Sequence, residues 1–305
     1  MLKFICNKYF NKKFIRITPT HFGWGYGYGF FSNYRVCLQQ LISNHLDRKL
    51  IPYVDWRNTT WVEGIDPMKS KKLPKNQENP FDYWFDQTIP QKNDGVKLSN
   101  GKLDFKIIDH AINYFKDDRL VIQQEVDKLY LKPKKEILDK VEKLYINNLK
   151  GEVVLGVMAR GSEYNKHHPF YGVFGINDYI DEIKKVLKKR PNITKIFIVS
   201  EDLAYIEKIS SEFSETYFVP NVFRRTDESL EYVEEMHHWC NISQKRKNHT
   251  KLLGEEVIIQ TKLLAKCNYL LGRHSGVFCG AILWNQKIEE VFSIDINAHS
   301  TNIIK

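Results

Sequence analysis

The sequence contains no long apolar run. Its longest apolar stretches, such as Val153 to Val157 and Ile196 to Val199, are far shorter than the roughly 20 residues a membrane-spanning helix needs. Residues Met1 to Thr20 mix Lys and Arg with aromatics and hold no continuous apolar core ahead of small residues, so no signal peptide is expected. Cysteine is scarce and unpaired. Cys6, Cys37, Cys240, Cys267 and Cys279 are scattered, odd in number and without a C-x-x-C pair, which argues against both a disulfide framework and a zinc site. A reducing compartment, the cytoplasm, is expected. There is no internal repeat of short fixed period. The P-loop pattern G-x-x-x-x-G-K-[ST] is missing, so an ATPase is not expected. No RNA- or DNA-binding signature occurs. No Asp-x-Asp motif lies at an expected strand end, and no metal site is expected.

What the chain does have is length, aromatics and positive charge. At 305 residues, 42% hydrophobic and 13% aromatic, it has room for two domains with substantial cores. The formal net charge of +9 invites a nucleic-acid reading. The basic residues are spread out, however, over Lys69 to Lys75, Lys132 to Lys135, Lys184 to Arg190 and Lys245 to Lys247, as solvated helix faces and loops are. A phosphorylated small molecule or an anionic membrane surface suits such a surface equally well. No specific nucleic-acid partner is expected. The place expected is the cytoplasm, with peripheral attachment to the inner membrane face as an option.

Periodicity predicts an α/β protein. Phe14 to Thr18 alternates like a strand, His21 to Gly29 is rich in glycine and aromatics, and Ser32 to Lys49 has helical spacing. Leu50 to Val54 reads as a second strand, which gives a βαβ order. Lys69 to Gly101 reads as a long polar loop holding one aromatic block, Phe81 to Phe85. Helices are predicted over Phe105 to Phe115 and Lys134 to Leu149. Lys150-Gly151 is the expected boundary between an N-terminal α/β domain, 1–150, and a C-terminal Rossmann-like domain, 151–305. Beyond it, strands at Val153 to Ala159, Lys195 to Ser200, Thr216 to Val219, Tyr269 to Gly272 and Glu290 to Ile294 alternate with helices. The helices are at Ile176 to Lys189, Leu203 to Phe213, Glu255 to Lys266 and Gly276 to Trp284. That alternation predicts a parallel sheet with helices on both faces.

In such a sheet ligands bind beyond the C-terminal strand ends. Four segments stand there. After Gly156-Val157-Met158-Ala159 come Arg160, Gly161, Ser162 and Glu163; an arginine fork suits phosphate oxygens, and Gly161 leaves room for close approach. The plain alternative is a surface pair between Arg160 and Glu163. The strand ending at Val199 runs into Ser200-Glu201-Asp202, where a helix N-cap is the simpler reading. The strand ending at Gly272 enters Arg273-His274-Ser275-Gly276, where a hydroxyl, helix amides and an arginine make an anion pocket; Ser275 as an ordinary cap is the alternative. Gly23 to Asn33 carries alternating glycines that do not fit G-x-G-x-x-G. His167-His168 lacks a third ligand at metal spacing, so His168 is read as a general base or acceptor-site group.

Taken together, Met158-Ala159-Arg160-Gly161-Ser162-Glu163-Tyr164 with His168-Pro169, Ser200-Glu201-Asp202, and Cys267-Asn268-Tyr269-Leu270-Leu271-Gly272-Arg273-His274-Ser275-Gly276 resemble the motifs of the fucosyltransferase-like superfamily of GT-B glycosyltransferases. That group includes α-1,6- and α-1,2-fucosyltransferases, the nodulation fucosyltransferase and protein O-fucosyltransferases. The turn Gly27-x-Gly29-x-x-x-Asn33 and the strand ending near Asp55 are also similar. The resemblance implies a GT-B-like fold, two Rossmann-like domains facing each other across a cleft. It implies an inverting, metal-independent enzyme that transfers a sugar, fucose from GDP-fucose, to a glycan or glycoconjugate hydroxyl, with no cofactor beyond the nucleotide-sugar donor. Arg160 would bind the β-phosphate, with Glu163 or His168 as the base. Gly27, Gly29, Asn33, Gly161, Asp202, Gln260, His274, Ser275 and Gly276 would complete the donor site. The chain departs from the pattern at Met158, Gly161, Glu163, Asn268 and Gln260. These departures leave room for another donor, or for a sugar-nucleotide-binding protein that has lost catalysis.

Overall fold

A computed structural model of the chain describes residues 14–19, 29–48, 50–57, 59, 61–62, 78–87, 118–161, 173–226, 246–285 and 287–294. In the first half, β1 (Phe14–Ile17) and β2 (Ile51–Val54) pair in parallel, with Phe14 opposite Ile51 and Ile17 opposite Val54. A parallel pair needs a crossover, and α1 (Phe30–Ser43) supplies it, its last turn running on as a π-helical turn over Asn44–Arg48. Phe31, Tyr34, Leu38, Leu41 and Ile42 recur at helical spacing and are buried. α2 (Phe81–Trp84) is the aromatic block expected to sit in a loop. It is helical because its rings have somewhere to go. Phe30 meets Trp56, Trp61 and Trp84 edge-on at 5.3, 5.1 and 5.2 Å, a geometry that aromatic quadrupoles favour.

α3 (Asp118–Tyr130) and α4 (Lys135–Asn148) follow. Sequence periodicity anticipates α4 but not α3, whose described buried side chains, Val126 and Asp127, trace no apolar stripe. The helix expected over Phe105 to Phe115 lies outside the described residues.

The second half builds β3 (Val154–Met158), α5 (Ile176–Lys189), β4 (Lys195–Val199), α6 (Leu203–Glu212) and β5 (Thr216–Tyr217). It continues with α7 (His249–Leu264), β6 (Tyr269–Gly272), α8 (Gly276–Trp284) and β7 (Glu290–Ser293). The five strands are parallel, in the order β5-β4-β3-β6-β7. All five residues of β3 are buried, as expected for an apolar strand at the centre of a sheet covered on both faces. One face, through Leu155, Val157, Ile196, Ile198 and Leu271, packs on Tyr179, Ile183, Ile206 and Ile209 of α5 and α6. The other, through Val154, Met158, Phe197, Val199 and Leu270, packs on α7 and α8.

That second face is also where the halves join. The described strands form two separate sheets, yet one hydrophobic cluster contains Ile17, Tyr34 and Trp84 of the first half together with Leu253, Leu270 and Leu283 of the second. The Trp84 indole N–H donates to the Lys251 carbonyl at 2.8 Å, and the Gln124 amide donates to the Leu283 carbonyl at 3.1 Å. α7 starts at His249, six residues before its expected start at Glu255. Gly254, in the second turn, lies against Trp84, where any Cβ would overlap the indole. No helix among the described residues is long and apolar enough to cross a membrane.

Candidate functional site

The strand order places a topological switch point between β3 and β6. From β3 the chain moves to β4 on one side, and β6 moves to β7 on the other. In open α/β sheets a crevice forms there, outside the C-terminal ends. Arg160 stands two residues beyond the end of β3 and Arg273 one beyond β6, on strands whose last residues, Met158 and Gly272, are paired.

Arg160 leaves β3 with its backbone N–H held by the Tyr179 hydroxyl at 2.9 Å. Burial pushes that phenol well above its ordinary pKa, so it remains a neutral anchor. The Arg160 guanidinium is 22% exposed, and its Nη1 lies 3.3 Å from Glu201 Oε1. The same oxygen accepts the Gly161 N–H at 3.0 Å. Glu201 is thus one partner of Arg160; Glu163, Gly27 and His168 lie outside the described residues. At Gly161 the space where a Cβ would stand is filled by the Asp202 carboxylate, so its small size admits a side chain of the protein.

Asp202 is the N-cap residue of α6, but its side chain makes no cap hydrogen bond. Its N–H donates to the Ser200 Oγ at 3.1 Å, and its carboxylate turns to Arg225, whose Nε is 2.7 Å away. The simpler cap reading thus fails for the Asp202 side chain. Arg225 Nη2 is also 3.6 Å from Glu201 Oε1. Sequence inspection did not single out Arg225, because nothing in Phe223-Arg224-Arg225 marks one arginine as buried. Arg273 is fully buried, with its guanidinium 4.8 Å from the Phe174 ring centre. The Tyr205 hydroxyl donates to the Phe174 carbonyl at 3.4 Å. Its pKa is pushed up to about 12, by burial first and then by the charges of Asp202 and Glu201, with Arg273 opposing. Glu201, Asp202 and Arg273 therefore lie within electrostatic reach of one phenol.

Ser275 caps α8, its Oγ accepting the Phe278 N–H at 3.4 Å. Gly276 is the first residue of that helix, and a Cβ on it would come within 2.8 Å of Phe31 Cβ. Phe31 is in the first turn of α1, whose N-cap is Gly29. The N-terminal ends of α1 and α8, one from each half, therefore converge. Gly29 is exposed, with open space around it. Asn33 is buried one turn on, and His274 is half-buried. Gln260 is buried on α7, where its Nε2 donates to the Glu256 carbonyl at 3.3 Å. Its Oε1 is buried without a hydrogen-bond partner among the described residues. Asn268 belongs to the other end of the sheet. Its Oδ1 accepts the N–H of Val154, the first residue of β3, at 2.9 Å, so that departure from the motif lies away from the strand ends that matter. Among the described residues no group of His, Cys, Asp and Glu has metal-site geometry.

No family model matches the chain, and no curated protein matches it. Solved structures do. Fucosyltransferase NodZ from Bradyrhizobium superposes with a TM-score of 0.54 at 16% identity, over 93% of this chain and 96% of that one. NodZ alpha-1,6-fucosyltransferase soaked with GDP-fucose gives 0.53 at 15% identity, over 94% and 96%. The same enzyme co-crystallized with GDP gives 0.52 at 15% identity, over 93% and 96%. The chain has the NodZ fold. The match runs through both halves.

Proposed function

We propose that the chain is a nucleotide-sugar-dependent glycosyltransferase, with GDP-fucose as donor and a glycan or glycoconjugate hydroxyl as acceptor. The observation that carries this reading is the meeting of two helix N-termini, those of α1 and α8, beside the switch point of the parallel sheet. Helix N-termini favour anions through free N–H groups and the helix dipole. A diphosphate there faces Ser275, the amides of α8 and the fork of Arg160. The unpaired Oε1 of Gln260 offers an acceptor to a nucleobase N–H. Full-length likeness to a fold that has been crystallized with GDP and soaked with GDP-fucose favours the same donor.

In this mechanism the acceptor oxygen attacks the anomeric carbon from the face opposite the diphosphate. The bond to the β-phosphate oxygen breaks, and the diphosphate leaves with the electron pair. The acceptor proton passes to Glu163 or His168. Arg160 and the helix amides meet the charge that develops on the leaving group, which makes a metal ion unnecessary.

Turnover of GDP-, UDP-, dTDP- and CMP-sugars in EDTA tests the reading. GDP-fucose should be consumed. Arg160→Ala should lower its turnover on the order of 100- to 1,000-fold with little change in melting temperature, and Arg160→Lys should recover little because one ammonium cannot replace the fork. Activity that depends on added manganese would contradict metal independence. A second reading has one observation behind it: Glu201 and Asp202 already occupy Arg160 and the space over Gly161, as they would in a binding protein that has lost catalysis. Tight GDP binding with no turnover of any donor would favour that alternative.

A further inference from the structure

Arg225 is buried beside the proposed donor site with 2% of its side chain exposed, so it is not placed to touch a ligand. It spans two carboxylates, with Nε 2.7 Å from Asp202 Oδ1 and Nη2 3.6 Å from Glu201 Oε1. Its backbone is fixed as well. Its N–H donates to the Glu201 carbonyl at 2.8 Å, and its own carbonyl accepts the Leu203 N–H at 2.9 Å. Arg160 and Arg225 thus share one oxygen, Glu201 Oε1, which also carries the Gly161 N–H.

This sharing has a chemical consequence. An anion arriving at Arg160 competes with Glu201 for the guanidinium. If Arg160 were the only cation at Glu201, each anion bound would leave a partly buried carboxylate uncompensated. With Arg225 already beside both carboxylates, Arg160 can turn from Glu201 to the anion and leave a counter-charge in place behind it. Asp202, wedged over Gly161, places a second negative charge next to the same anion, and Arg225 Nε lies 2.7 Å from it.

We propose that Arg225 is a positioning residue for an anionic ligand at Arg160, keeping a counter-charge beside Glu201 and Asp202 so that Arg160 can engage a diphosphate. The proposal rests on the donor-site reading above. Its test is a cycle of GDP affinities measured by titration calorimetry on the full chain. Arg225→Met should weaken GDP by at least about tenfold, because it unmasks two carboxylates beside the ligand. Glu201→Gln in the Arg225→Met background should restore most of that loss, since the amide keeps an acceptor for the Gly161 N–H and removes the charge.

If Arg225 only braces the loop, the double variant will bind GDP no better than Arg225→Met, and the proposal is overturned. Unchanged GDP affinity in Arg225→Met overturns it equally. If Arg225→Met does not fold, the triple variant Arg225→Met, Glu201→Gln, Asp202→Asn carries the test. It removes all three charges together, and it should bind GDP within a few-fold of the native chain; loss of binding in a folded triple variant overturns the proposal. A native chain that binds neither GDP nor inorganic diphosphate would sink the donor-site reading itself, and this inference with it. That failure is distinct from one in which the native chain binds and the cycle shows no coupling.

Discussion

At the scale of single residues, the site is built by small groups making way for charged ones. Gly161 is the clearest case. Its backbone is not in the left-handed region, so an alanine there meets no dihedral strain. The obstacle is steric, because the new methyl would overlap the Asp202 carboxylate, and that carboxylate is tied to Arg225 at 2.7 Å. Gly161→Ala should therefore cost roughly 1–3 kcal/mol of stability and weaken GDP binding by displacing Asp202 and Glu201 together. Chemical denaturation and a GDP titration on one preparation measure both; a variant neutral in both would show that the Asp202 contact is dispensable. Little of this was legible in the sequence. Arg160 could be found, since an arginine directly after an apolar strand stands out. The role of Gly161 could not, because whether a glycine admits a ligand or a neighbouring side chain depends on a residue 41 positions away. Arg225 was hidden for a similar reason. Burial of an arginine is decided by carboxylates that approach it in space.

At the scale of elements, the strands were the most legible feature. β3, β4 and β6 are short apolar runs ending in polar or glycine turns, and they were found to within one residue at each end. Helices held by local amphipathicity, such as α5 with Tyr179, Ile180, Ile183 and Val186 inward and lysines outward, were equally clear. Helices held by distant partners were not. α3 buries Val126 in the cluster shared by both halves and bonds Asp127 to Tyr34 and Trp284, one from each half, and α7 sets Gly254 against Trp84 of the other half. The same logic governs α8. Gly280 sits mid-helix, where alanine is preferred by about 1 kcal/mol. Its missing Cβ, however, is the space the Phe31 ring of α1 occupies. Gly280→Ala should be destabilising despite its better helix propensity, by roughly 1–3 kcal/mol. A gain in melting temperature would mean that α1 and α8 part more easily than their packing indicates.

At the scale of the whole molecule, the two parallel sheets were legible from strand order, but the seam between them was not. The seam contains a buried polar group. Asp127 of α3 accepts from the Tyr34 hydroxyl and from the Trp284 indole N–H, the latter at 3.1–3.2 Å, and Lys262 Nζ lies 3.7 Å from the Trp284 ring centre. Burial is the main cause that raises Asp127 from 3.8 to about 6, against the pull of Lys262, and burial lowers Lys262 from 10.5 to about 8, against the pull of Asp127. Folded Asp127 holds its proton more tightly than the unfolded chain does. Its contribution to stability is complete below pH 3.8 and is lost as the pH rises through about 6. Lys262 behaves in the opposite sense, contributing fully above pH 10.5 and losing that contribution as the pH falls through about 8. Near neutrality both are ionised and each offsets part of the burial cost of the other. Asp127→Asn removes one titration and leaves its surroundings in place. The stability of the native chain relative to this variant should therefore fall between pH 4 and 6, by an amount on the order of 3 kcal/mol, whatever the absolute cost of the substitution. Denaturation midpoints for the two proteins across that window measure the difference. Parallel curves would mean that Asp127 is solvated in the folded protein and that the seam between the halves is open to water. A native curve that falls relative to the variant's across that window would show that the halves close over a charge, as a single shared core requires.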